Sequence, residues 1–368
     1  MRIGIIGAGQ LGQMLGFAAR ELGMQCRFVD PAPKPPAAAY GAVTRAEFDD
    51  RDALARLAAS SDVVTYEFEN VPVAALQQIA DRVPVYPPPA ALGHAQDRLA
   101  EKQLFQQLHI PLPAYHRVDS RDDLDAAVAS LGMPLVLKTR RLGYDGKGQF
   151  VIRQPADVSA AWQQCGGSEL IAEQWVSFDY EVSAIGARNV AGDIICYPLT
   201  RNEHAHGILR TSRAPLQHAA LARQAEQHVT ALLEHLQYVG VLALEMFVTG
   251  EQLLANEFAP RVHNSGHWTI EGAETSQFTA HLLAISNQAL PVPRVPGHAG
   301  MLNLIGTMPR NLQLPAGASL HDYGKAPRPG RKLGHITVIG DSAEARDALL
   351  ARVRESVTES TPPAGTVA

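Results

Sequence analysis

The tightest constraint on this chain stands at its start, MRIGIIGAGQLGQMLGFAARELG. A short apolar run, Arg2 to Ile6, meets the glycine turn GAGQLG, and from there Leu11, Met14, Leu15, Ala18 and Leu22 recur at helical spacing. A buried strand that turns tightly into an amphipathic helix opens a parallel sheet. A second strand over 25–30 and a third over 62–67, with a helix over 51–59 before the latter, predict a βαβαβ unit. Gly7, Gly9 and Gly12 fit the spacing G-x-G-x-x-G, whose free N–H groups and helix dipole favour an anion, and Asp30 lies where a ribose-binding acid belongs. Taken alone, this window fits a nicotinamide or flavin cofactor as well as it fits tight strand-to-helix packing.

At 368 residues the chain exceeds one ordinary core, so two or three domains are expected. The prolines of VPVYPPPAALG argue for an extended connection, which sets a boundary near Gly93. Beyond it come a charged helix over 95–108, a helix over 121–131, and the strands PLVLKT, QFVIR and ELIAEQWV around a glycine turn and a further helix. Together these predict a small α+β lobe. Two strands in EVSAIGARNVAGDIICYPL, a long helix over 219–236 and the hairpin VLALEMFVTGEQLLANEFA come next. After Pro291 the chain is rich in proline and glycine with short strands such as GHITVIG, and TESTPPAGTVA reads as a disordered tail. The net charge of -5 offers no basic surface for nucleic acid. Cys26, Cys165 and Cys196 form no C-x-x-C, and no apolar run is long enough for a membrane, so a reduced cytoplasmic compartment is expected.

Two further stretches carry chemistry. In LKTRRLGYDGKGQF, Lys138 precedes Gly143, Gly146 and Gly148, which surround Tyr144, Asp145 and Lys147. This is either a hairpin that closes over phosphates or a solvated surface turn, and it lacks the Walker spacing. In LALEMFVTGEQLLANEFAPR the turn at Gly250 sets Glu245 and Glu257 nearly opposite each other, with Asn256 beside them. Facing carboxylates call for a divalent cation, unless one of them turns to solvent or pairs with an arginine. With RVHNSGH directly after the hairpin, the combination points to Mg-ATP chemistry on an anion.

The motifs GAGQLGQML, YEFENVP, QDRLAEKQLF, RRLGYDGKGQ, GILRTSRAP, NEFAPRVHNSGHWTIEGAETSQF, MLNLIGT and RPGRKLGH carry a resemblance over nearly the whole chain. The sequence resembles the ATP-grasp ligases, most closely the N5-carboxyaminoimidazole ribonucleotide synthetase family. The resemblance implies an α/β ATP-grasp fold with α+β lobes. A Rossmann-like pre-ATP-grasp domain would span 1–93, an ATP-grasp domain 94–300 with a lid lobe over 115–180, and a small β-rich C-terminal domain 301–368. It implies a homodimeric ligase of purine biosynthesis that joins bicarbonate to 5-aminoimidazole ribonucleotide at the expense of ATP. Carboxyphosphate, or CO2 released from it within the site, would be what the substrate amine attacks. An ATP-grasp ligase for another acid and amine, and a dinucleotide-dependent oxidoreductase, are the alternatives.

Carried over by residue, the resemblance places ATP against Arg98, Lys138, the loop Gly143, Tyr144, Asp145, Gly146, Lys147, Gly148 and Gln149, the segment Glu173, Gln174, Trp175 and Val176, and Glu181, His204, Asn256 and Glu257. Glu245 and Glu257 would hold Mg2+, Arg261 and His263 would bind bicarbonate, and Asn264 would stand with them as a catalytic residue. The ribonucleotide would meet Gln10 and Leu11 of the opening turn, Tyr144, Asp145, Arg331, Lys332 and one of Glu67 and Glu69. Strand alternation puts those two glutamates on one face and does not choose between them.

Overall fold

Three sheets and the helices laid on them build the molecule, in a computed structural model that describes residues 1–143, 148–167 and 169–360. The opening strand Arg2–Ile6 is the centre of a four-stranded parallel sheet with Gln25–Asp30 on one side and Val63–Tyr66 on the other. The fourth strand, Gly41–Arg45, is not foreseen from the sequence because it is an edge strand, largely exposed and too short to show alternation. Helix Gln10–Glu21 buries Leu11, Met14, Leu15 and Ala18 against this sheet, as the spacing predicts. Asp50 caps helix Arg51–Ala59 by accepting from the Ala53 N–H.

The proline-rich connection departs from expectation. Residues Pro89–Ala95 form a helix with proline in its first turn, and Gly93 lies inside it. Proline at the start of a helix gives up an N–H that has no partner there and brings a preset φ, so the PPP run starts this helix. Asp97 then caps helix Arg98–Gln107.

The lid lobe is a four-stranded antiparallel sheet in the order Tyr115–Val118, Leu170–Gln174, Leu135–Thr139, Gln149–Ile152. Helices Arg121–Leu131 and Asp157–Cys165 close a separate small core around Leu124, Leu135, Leu137 and Leu170. Tyr144, Asp145, Gly146 and Lys147 lie outside the described residues.

The third sheet has nine strands and carries most of the site. Its order is Gln252–Ala259, Gly240–Thr249, Tyr180–Arg188, Thr200–Ala205, Ile208–Ala214, His298–Ile305, Lys332–Gly340, Ala318–Asp322, with Ile194–Cys196 paired beside Tyr180–Arg188. The C-terminal strands therefore continue the sheet that begins with the acidic hairpin, joined where Ile208–Ala214 pairs with His298–Ile305. Helix Ala343–Glu359, not foreseen from the sequence, covers this end of the sheet in the β-rich C-terminal part. Its apolar face is little more than Leu349, Leu350, Val353 and Val357 among charged residues, which hides the helical period. Thr358 and Glu359, expected to start a tail, belong to this helix, and residues 361–368 lie outside the described ones.

Leu350 and Val353 are buried against Leu302, Leu304, Ile336 and Val338. Leu350→Ala is expected to destabilise the protein by about 2–5 kcal/mol, the usual cost of such a truncation, read as a lower urea midpoint. An unchanged midpoint would show that the helix does not hold the sheet.

Candidate active site

The acidic hairpin is built by one irregularity. Pairing starts at Thr249 opposite Gln252 and runs regularly to Met246 opposite Ala255, a register that would next set Glu245 opposite Asn256. The register shifts there instead, and Glu245 pairs with Glu257. Asn256 is the extra residue of the bulge. Its carbonyl accepts from Lys102 Nζ at 2.5 Å, and the Phe258 N–H donates to Glu101 Oε1 at 2.7 Å. Both backbone groups thus find partners despite the broken ladder. Sequence reasoning missed Glu101 and Lys102, since adjacent opposite charges on a charged helix read as a solvated face, yet both are buried.

Burial and the facing Glu257 carboxylate push Glu245 up to about 7. His263 Nε2 lies 3.3 Å from Glu245 Oε1. Burial first, then Arg261 and Lys332, hold His263 well below the ordinary histidine value. Glu181 Oε2 sits 2.6 Å from His204 Nδ1. Burial opposes protonation of His204, but the bond to Glu181 and the field of Glu245 outweigh it and raise its pKa. Among the described residues no group of three or more His, Cys, Asp or Glu is placed to hold a metal. Two facing carboxylates with excess negative charge fit Mg2+, which takes one or two protein carboxylates and completes its shell with phosphate oxygens and water.

These side chains line one cleft of about 410 Å³ between the lid lobe and the large sheet. Lys138, Gly143, Gln149, Glu173, Gln174, Trp175 and Val176 line it from the lid, and Arg98, Glu181, His204, Glu245, Asn256, Glu257, Arg261, His263, Asn264 and Lys332 complete it. Gly148 is at the base of the loop, where its carbonyl accepts from the Thr139 N–H at 2.8 Å. Arg98 braces the same loop by donating to the carbonyls of Thr139 and Gly143, both at 3.3 Å. Glu173 Oε2 lies 3.0 Å from Lys138 Nζ and 3.5 Å from Lys102 Nζ, whereas its Oε1 is buried with no partner among the described residues. Asn264 exchanges hydrogen bonds with Asn303 at 2.7 and 3.1 Å, which fixes its amide.

The opening turn is where expectation and structure part. The Gly9 N–H donates to Glu67 Oε1 at 2.7 Å, and a Cβ at Gly7 or Gly9 would stand within 3 Å of that carboxyl group. Ala8 and Ala32 donate their N–H groups to Asp30, each at 2.8 Å. The glycines make room for the chain's own carboxylate, so Glu67 occupies the place expected for a substrate anion, and Asp30 is engaged as a backbone clasp. Leu11 is buried in the core and does not line the cleft. Gln10 receives a hydrogen bond from Lys325, a residue missed in the sequence, but also lies off the cleft lining. The strand ends at Tyr66, so alternation does not govern the residues beyond it. Glu67 faces the glycine turn, and Glu69 lines the cleft with its Oε1 2.8 Å from the Arg261 guanidinium. Arg331 donates to the Ala326 carbonyl at 3.2 Å away from the cleft lining, which Lys332 joins.

Comparison with known proteins bears on what such a cleft belongs to. Residues 1–96 match the ribonucleotide synthetase preATP-grasp domain, 103–278 the ATP-grasp domain, and 299–348 the phosphoribosylaminoimidazole carboxylase C-terminal domain. The N5-carboxyaminoimidazole ribonucleotide synthase of Pseudomonas aeruginosa is 48% identical over 357 residues, 96% of this chain and 98% of that protein. The chain belongs to the N5-carboxyaminoimidazole ribonucleotide synthase family. The synthetase of Thermus thermophilus superposes with a TM-score of 0.92 at 48% identity, covering 97% of this chain and 98% of the other. The synthase of Aspergillus clavatus, solved in complex with ADP and 5-aminoimidazole ribonucleotide, superposes with a TM-score of 0.90 at 29% identity over 97% and 98%. The ATP-grasp architecture of this synthase family, with its preATP-grasp and C-terminal parts, is thus the fold of this chain.

The Glu173 cluster sets a pH prediction. Burial alone would raise this carboxyl, but Lys102 and Lys138 outweigh it and hold Glu173 down to about 2, against an ordinary 4.5. A depressed carboxyl adds stability that is complete above its ordinary value and lost as pH falls to the folded one. The stability gap between wild type and Glu173→Gln should therefore narrow by on the order of 3 kcal/mol from pH 4.5 to 2 in urea unfolding. A gap independent of pH would refute the pairing.

Proposed function

We propose that this chain carboxylates 5-aminoimidazole ribonucleotide, consuming ATP and bicarbonate and releasing ADP and phosphate, as its family does in purine biosynthesis. ATP and Mg2+ are its cofactors. The observation that carries the reading is one cleft that holds both the phosphate-handling set, Lys138 with Glu245 and Glu257, and an anion and acid set, Arg261 with Glu69 and Lys332.

Bicarbonate is a poor electrophile until its hydroxyl oxygen becomes a leaving group. One of its oxygens bonds to the γ-phosphorus as the bond to ADP breaks, which yields carboxyphosphate. The substrate amine then bonds to the carboxyl carbon, the bond to phosphate breaks, and the amine loses a proton. Such chemistry needs positioning and charge neutralisation more than a nucleophile, and the cleft supplies cations and amide donors. Bound at Glu245 and Glu257, Mg2+ supplies charge neutralisation on phosphate oxygens.

Lys138 and the backbone of the glycine loop hold the phosphates in this reading, with Glu173 to Val176 along the base of the nucleotide. The unpartnered Glu173 Oε1 offers an acceptor to an exocyclic amine there. Arg261 orients bicarbonate by its planar guanidinium, while Glu69 holds that guanidinium in place. The substrate phosphate meets Lys332. A homodimer in the cytoplasm belongs to the same reading and is supported by the family resemblance; among the described residues no helix is long and apolar enough to cross a membrane. So does the division of the chain near 93 and 300, close to where the matched families change.

ADP release with Mg-ATP and bicarbonate should depend on added 5-aminoimidazole ribonucleotide, and release indifferent to it would point to another acceptor. Arg261→Ala should lower bicarbonate-dependent turnover by about a hundredfold while ATP affinity holds, since one cation at a developing oxyanion is worth that much. Unchanged bicarbonate dependence would remove Arg261 from the reaction.

A further inference from the structure

A line of hydrogen bonds crosses the large sheet and ends on His263. Ser212 Oγ donates to Asn202 Oδ1 at 2.8 Å, Asn202 Nδ2 to Ser183 Oγ at 3.0 Å, and Ser183 Oγ to Ser265 Oγ at 2.7 Å. Ser265 Oγ in turn lies 2.8 Å from His263 Nδ1. Ser183, Asn202, Ser212 and Ser265 are all buried, so water does not compete for these bonds.

A hydroxyl has one proton to give. Ser265 Oγ accepts from Ser183, which leaves its own proton free to donate to His263 Nδ1. The Ser265 backbone N–H also points at Nδ1, at 3.3 Å, and a backbone donor cannot reverse its role. A proton on Nδ1 would set donor against donor, whether in a neutral ring or in an imidazolium. The ring proton therefore stays on Nε2, the atom that faces Glu245 Oε1. Gln277 fixes the backbone of the same residue, accepting from the His263 N–H at 2.9 Å and donating to its carbonyl at 2.6 Å.

We propose that Ser265, backed by Ser183, Asn202 and Ser212, is a positioning residue that locks His263 as its Nε2–H tautomer. His263 then enters the cleft as a hydrogen-bond donor, toward Glu245 and the oxyanion beside it, and not as a proton acceptor. What the donor serves rests on the carboxylation reading; the tautomer does not.

Heteronuclear NMR on protein labelled at the histidine ring nitrogens tests this, with the His263 signals assigned by their loss in His263→Asn. The expected spectrum has a proton on Nε2 and none on Nδ1 near neutral pH, and a proton on Nδ1 overturns the proposal. Folded Ser265→Ala keeps only the longer backbone contact at 3.3 Å to Nδ1, so an Nδ1–H tautomer should appear beside the Nε2–H one, with kcat about tenfold lower, the worth of one hydrogen bond, and KM for ATP unchanged. A single Nε2–H tautomer with wild-type kcat in that variant removes Ser265 from the role. Where Ser265→Ala fails to fold, the wild-type spectrum decides alone. If ADP release proves independent of bicarbonate, the carboxylation reading fails while the tautomer result still stands.

Discussion

One extra residue in one strand sets the arrangement on which the site depends. Without the bulge at Asn256, Glu245 would face an amide and Glu257 would shift to the other face, because side chains alternate at every residue. With it, two carboxylates meet across the hairpin. The broken ladder and the like charges both cost free energy. Buried Lys102 offsets part of that cost by donating to the Asn256 carbonyl, and Glu101 does so by accepting from Phe258. The same ammonium lies 3.5 Å from Glu173 on the lid lobe, so the bulge and the lid strand share one buried cation. Disturbing either side leaves a charge without its partner in a place where water does not reach it.

The opening glycine turn meets the same electrostatic demand in another way. Donors at a helix start need an acceptor, and here Glu67 supplies it from the end of a neighbouring strand. Asp30 satisfies the backbone of Ala8 and Ala32. A motif known for holding phosphate thus closes on itself, and the acid that lines the cleft is Glu69, two residues further on. The difference between Glu67 and Glu69 arises because the strand stops at Tyr66 and the chain turns.

Much of this was legible in the residues. The spacing of apolar positions marks the opening strand and helix, helix Arg51–Ala59, helix Arg121–Leu131 and the acidic hairpin. The strand Gly41–Arg45, the helix started by Pro89 and the helix Ala343–Glu359 were not, since each has too few periodic apolar residues or a composition usually found in turns. Residues with charged or amide groups on consecutive motifs marked the cleft: Lys138, Glu245, Glu257, Arg261 and His263 line it together. Glu101, Lys102, Ser183 and Ser265 carried no signal of their own, because a serine or a charged pair in a helix is ordinary until its burial is known.

Local periodicity was enough for the order of most strands and helices, and the motifs for a family resemblance and the types of side chain available for phosphoryl and carboxyl transfer. Which carboxylate faces which partner was settled by tertiary structure alone. Glu67 turned to the glycine turn, Glu69 to Arg261, Glu245 to Glu257 and Glu173 to two lysines are pairings between segments that the chain must fold to bring together. They depend on a strand that ends one residue early and on a single bulged residue. Period-two alternation cannot encode either one, since a shift of one residue reverses every side chain beyond it.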